Sequence, residues 1–106
     1  MDLEDADTEG LRELYMDFTS RILPQLAREG KWTITEDHCF QRVVLDNVFE
    51  DMWYSHLDKN SEKPAYKQLG KKELISAVRI SREMERKGKS YVERLNRKSL
   101  EYRGKN

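Results

Sequence analysis

Cysteine is almost absent from this sequence. The single thiol, Cys39, has no partner for an internal disulfide. A lone cysteine fits a reducing compartment, so the chain is expected in the cytoplasm. Long apolar runs are missing too. No stretch approaches the roughly 18 consecutive apolar residues of a spanning helix, so no membrane partner is expected. The opening Met1-Asp-Leu-Glu-Asp-Ala-Asp7 is acidic and lacks the apolar core of a signal peptide. The five glycines are scattered at positions 10, 30, 70, 88 and 104, so they build neither a phosphate-binding loop nor a dinucleotide fingerprint. There is no Gly-x-Ser-x-Gly elbow, no His-x-x-x-His and no Cys-x-x-Cys. The parts of hydrolases, kinases and dehydrogenases are therefore missing. No catalytic residue, metal ligand set or cofactor is assigned.

What is present is charge. Charged residues make up 38% of the 106 and hydrophobic ones 37%, which suffices for one core and one domain. The net charge is zero, but the signs are segregated. Residues 1–70 hold 15 acidic against 8 basic side chains, a net of −7, and residues 71–106 hold 5 against 12, a net of +7. Either the basic end is a nucleic-acid surface, or the two halves face each other, within one chain or across a homodimer.

The apolar residues recur with helical spacing, which predicts an all-α bundle of four to five helices over 1–106, with 1–7 and 104–106 frayed. Thr8 or Asp7 caps a first helix whose inner face is Leu11, Leu14, Tyr15, Phe18, Ile22 and Leu26. Pro24 should kink it or shift its last turn, and Gly30 should stop it. Thr33, in capping-box spacing with Glu36, competes with Thr35 as the next cap. A second helix over 36–57 is apolar on two sides, Cys39/Phe40/Val43/Val44/Tyr54 with Leu57 at the edge, and Leu45/Phe49/Met52/Trp53, so it should be the buried centre. After a polar turn ending at Pro64, Tyr66 and Leu69 fold onto the core, and Glu73 is placed to complete a cap. A third helix from about Lys71 to Lys87 turns Leu74, Ile75, Ala77, Val78, Ser81 and Met84 inward. Ser90 and Glu93 have capping-box spacing before a last helix from Tyr91 to Tyr102, with Val92, Leu95, Leu100 and Tyr102 turned inward or toward a partner. One long helix weakened at Gly88 is the alternative.

On the central helix His38, Arg42 and Asp46 are spaced by four, Phe49 and Trp53 continue the stripe, and Asn47 projects onto the adjoining apolar face. Buried polar groups must be satisfied. One reading is an internal network. The other is a pocket in which Arg42 and His38 bind a small anionic ligand or a protein partner above the Phe49/Trp53 wall. His38 and Cys39 are adjacent and diverge by about 100°, which argues against a shared metal or a thiol–histidine pair. The basic third offers a separate candidate surface for nucleic acid, Arg79, Arg82, Arg86, Arg94, Arg97 and Lys98. Lys87, Lys89, Arg103, Lys105, Tyr91 and Tyr102 are interleaved, and Glu83, Glu85, Glu93 and Glu101 are mixed in.

The run Asp37-His-Cys-Phe-x-Arg42-x-x-x-Asp46-Asn47, with Trp53, Pro64-Ala-Tyr66-x-x-Leu69 and Glu73-Leu74, resembles a family of small helical prokaryotic proteins. Some members carry an acetyltransferase label. The resemblance covers roughly residues 36–100 and implies a helical domain and an enzyme-associated role. The larger mixed α/β fold and pyrophosphate loop of acetyl-CoA-dependent acetyltransferases have no counterpart in this sequence.

Overall fold

Asp7 starts the first long helix: its carboxylate accepts the Gly10 N–H at 2.7 Å, and α1 runs Thr8–Asp17. The computed structural model describes residues 2–104, and the fold is an all-α bundle. A π-helical turn, Phe18–Ile22, joins α1 to α2 (Leu23–Gly30) without a break. Within it the Leu23 N–H reaches back five residues to the Phe18 carbonyl. Pro24 follows at once. It has no N–H to give, and the wider turn takes up the misfit that its ring would otherwise force.

That turn rewrites the buried face. Each extra residue in a helical turn rotates everything after it by about 100°. Up to the first residue of the turn Leu11, Tyr15 and Phe18 are buried as the periodicity predicts, with Leu14 half-buried beside them. Beyond it Leu23 and Ala27 go inward, while Ile22 and Leu26 are left half-buried at the edge. The shift expected at Pro24 is therefore a change of phase. The rod ends at Lys31, which takes a left-handed φ of 55° and returns its N–H to Ala27.

The central helix, α3, spans Asp37–Phe49 and packs against α2, the π-turn and the two C-terminal helices. Phe40, Val43 and Val44 are fully buried on one side and Leu45 on the other. It is shorter than the 36–57 expected. Glu50 turns left-handed at φ 52°, the Glu50 and Asp51 N–H groups close onto the Asp46 carbonyl, and a 3-10 turn, Trp53–Ser55, follows. Neither threonine caps α3. Glu36 is the N-cap residue, and the Thr33 hydroxyl instead donates to Glu93 at 2.7 Å.

A polar loop is tied by Gln68, which accepts the Asp58 N–H and donates to the Asp58 and Lys63 carbonyls. It leads through the short α4 (Ala65–Gln68) to buried Leu69. Glu73 accepts the Gly70 N–H at 3.0 Å and opens α5 (Lys71–Lys87). All six residues expected on its inner face are buried. Gly88, at φ 79° and ψ −154°, separates α5 from α6 (Lys89–Tyr102), so 71–102 is two helices. Gly88 also serves as the N-cap, which leaves Ser90 inside α6 and the Ser90/Glu93 box unformed. At the N-terminus, expected to be frayed, Leu3–Asp5 forms a 3-10 turn with Leu3 buried. The expected frayed end at 104–106 lies, past Gly104, outside the described residues, as does Met1. Among the described residues no helix is long and apolar enough to cross a membrane.

Candidate functional site

The polar stripe of α3 meets a polar stripe of α6. Asp46, 0% exposed, is the hub. One carboxylate oxygen accepts the Trp53 N–H at 2.9 Å and Arg103 Nη2 at 3.2 Å. The other accepts the Ser99 hydroxyl at 2.6 Å and Arg103 Nε at 2.7 Å. Ser99 in turn accepts Arg42 Nη1 at 2.7 Å, and Asn96 Oδ1 accepts Arg42 Nη2 at 2.7 Å. Arg42 and Asp46 are thus joined through Ser99. The Asn47 amide donates to the Val43 carbonyl at 2.8 Å and the Leu95 carbonyl at 3.1 Å.

Two guanidiniums flank this one carboxylate. The hydrogen bond to Asp46 pushes the Arg103 pKa up. Burial, and then repulsion from Arg103, pull that of Arg42 down, while neighbouring Cys39 and Asp46 act the other way. Arg103 also lies over the Tyr54 ring, 5.1 Å from its centroid, a cation–π contact that anchors the 3-10 turn.

The rest of the stripe goes elsewhere. His38 has a side chain 77% exposed, with Asp37 at 3.6 Å. Phe49 stacks on His56 at 4.7 Å, and His56 Nε2 lies 3.2 Å from Asp51. Trp53 is beyond the helix end, edge-on to Tyr54 at 5.7 Å. The helix stops at Phe49, so the 100° step no longer carries Trp53 above Arg42. His38, Phe49 and Trp53 therefore leave the group, and Arg42, Asp46 and Asn47 have their polar atoms turned to α6. Asn96, Ser99 and Arg103 are the members that sequence reasoning missed. Their signal was spacing: Asn96 and Ser99 on the inner face of α6 and Arg103 just past its end are three and four apart, matching the polar residues of α3. Among the described residues no group of His, Cys, Asp and Glu gathers to hold a metal ion.

The basic residues are distributed over α5 and α6. Arg79 lies 3.6 Å from Glu4, and Arg86 lies 2.6 Å from Glu83. Arg82 and Lys98 are exposed. The acidic and basic halves meet, among the described residues, in two ion pairs, Arg79–Glu4 and Arg103–Asp46. Most of the basic surface is thus left unneutralised by residues 1–70. At the break between the helices the charges converge. A cavity of about 410 Å³ is lined by Lys87, Ser90, Tyr91, Arg94 and Arg97. Lys87 Nζ and the Arg94 guanidinium lie 4.9 and 5.2 Å from the Tyr91 ring centroid, two cation–π contacts to one ring. Burial, and then Glu83, push the Tyr91 hydroxyl above its ordinary pKa, so it stays a neutral donor. Glu83, 3.5 Å from Lys87, offsets part of that charge. Arg94 and Arg97 have no carboxylate partner among the described residues.

No protein-family model, curated protein or solved structure matches this chain.

Proposed function

We propose that the protein is a small binding or accessory module that engages nucleic-acid phosphates through the outward edge of α5 and α6. The observation that carries this reading is the convergence of Lys87, Arg94 and Arg97 on one cavity while the polar groups of α3 are spent on internal partners. A ligand seated on Arg42 would have to displace Ser99 and Asn96, leaving the buried hydroxyl and the half-buried amide each short of one donor, at about 1–2 kcal/mol together. A phosphate on α6 meets Arg94 and Arg97, which have no carboxylate partner among the described residues, and competes only with Glu83 for Lys87. A cytoplasmic location belongs to the same proposal.

Anisotropy of a labelled oligonucleotide across a salt series tests it. Three phosphate contacts imply a slope of log affinity on log salt of about −2 for a single strand, or roughly 20-fold weaker binding between about 50 and 200 mM. Replacing Lys87, Arg94 and Arg97 together by alanine should bring the slope close to zero. Absence of binding at low salt refutes the reading.

A further inference from the structure

The cavity at the α5–α6 break gathers three cations at one place. Gly88 turns the chain so that Lys87, at the end of α5, faces Ser90, Tyr91, Arg94 and Arg97 from the first turns of α6. Away from this point Glu4 engages Arg79 and Glu83 engages Arg86, while Arg82, Lys89 and Lys98 stand exposed and apart from the cavity lining. A groove that follows a strand repeats its charges along the strand. Here they gather around about 410 Å³ instead.

The amount of charge says which phosphate fits. Three cations, one of them partly offset by Glu83, leave between two and three positive charges around one site. An internal phosphodiester brings a single negative charge, whereas a phosphate monoester brings about −1.5 to −2 near neutral pH. The monoester also has three terminal oxygens, enough for two guanidinium forks, the ammonium and the Ser90 hydroxyl together. Lys87 and Arg94 already lie against the Tyr91 ring, so part of the side-chain freedom lost on binding is given up beforehand.

We propose that this cavity seats a phosphate monoester at the end of a nucleic-acid strand. The inference rests on the nucleic-acid reading above and deepens it from backbone binding to end recognition. Two short oligonucleotides of one sequence, 3′-labelled and bearing either a 5′-phosphate or a 5′-hydroxyl, are titrated against the protein by anisotropy. The phosphorylated strand should bind roughly tenfold tighter, the effect of one added charge-assisted contact set. Arg94→Ala with Arg97→Ala should erase that preference. Both side chains are exposed, and an unchanged urea midpoint confirms that the variant is folded. Equal affinity for the two strands overturns end recognition and leaves the nucleic-acid reading standing, while no salt-dependent binding of either strand overturns that reading itself. A nucleoside monophosphate that competes as tightly as the whole phosphorylated strand also overturns the strand-end assignment, in favour of a free-nucleotide site.

Discussion

Asp46→Ala is the sharpest test of the α3–α6 network. The carboxylate is fully buried and accepts four hydrogen bonds, from Trp53, Ser99 and twice from Arg103. Its removal leaves the Trp53 N–H and the Ser99 hydroxyl without an acceptor. It also leaves Arg42 and Arg103 near each other with no negative charge between them. Breaking a buried ion pair from one side costs about 3–5 kcal/mol. Arg103 keeps some access to water, with 18% of its side chain exposed, which places the expected loss toward the lower half of that range. A domain of this size has about 5–15 kcal/mol in all. The variant should therefore unfold at a temperature lower by roughly 12–32 °C, at about 4–8 °C per kcal/mol. Asp46→Asn keeps the shape and can still accept the Trp53 N–H, but it sets an amide N–H against Ser99 and Arg103. It should lose most of the same stability. Urea unfolding followed by circular dichroism measures both. A loss below about 1 kcal/mol for Asp46→Ala would refute the argument.

Three further substitutions probe separate parts of the fold. Tyr15 is fully buried and its hydroxyl has no hydrogen-bond partner, so Tyr15→Phe should be neutral or stabilising by up to about 1–2 kcal/mol in urea unfolding. Burial raises the Tyr15 pKa, so its contribution is fully present below the unfolded value near pH 10 and is lost as pH rises above it; Tyr15→Phe should flatten the alkaline limb of a stability–pH curve. Lys31→Gly relieves a left-handed φ of 55° and should add about 0.5–1 kcal/mol to the urea-derived stability. Gly88→Ala meets no neighbouring atom, yet φ 79° with ψ −154° is a region essentially reserved for glycine, so it should cost about 1–3 kcal/mol and weaken oligonucleotide binding by moving Lys87 relative to α6.

How far the sequence could be read depended on whether each helix kept its phase. In α5 nothing interrupts the 3.6-residue period between Lys71 and Lys87, and all six inner residues are legible. The rod from Thr8 to Gly30 has an equally clear period, but one π-turn before Pro24 moves its second half by a residue. Ile22 and Leu26 look like core and are not. Apolar spacing carries no mark of that insertion; the proline was the only hint. In α3 the periodicity runs on past the true end, since the stop at Glu50 is a non-glycine residue in a left-handed conformation. The need to satisfy Arg42, Asp46 and Asn47 was legible, but their partners lie about fifty residues further along the chain. The basic third was plain from composition. Its focus at Lys87, Arg94 and Arg97 depends on the bend at Gly88, which spacing left open between one helix and two.

Two groups of cations have separate expected roles: Arg42 holds α3 to α6, and Lys87, Arg94 and Arg97 are proposed to meet the ligand. Oligonucleotide affinity and urea stability measured side by side on Arg42→Ala and on the triple alanine variant test that division. Arg42→Ala should lose about 1–2 kcal/mol of stability and bind normally once corrected for the folded fraction. The triple variant should keep its stability and lose salt-dependent binding. The reverse pattern, an Arg42 variant that folds but does not bind beside a triple variant that binds normally, would contradict the account.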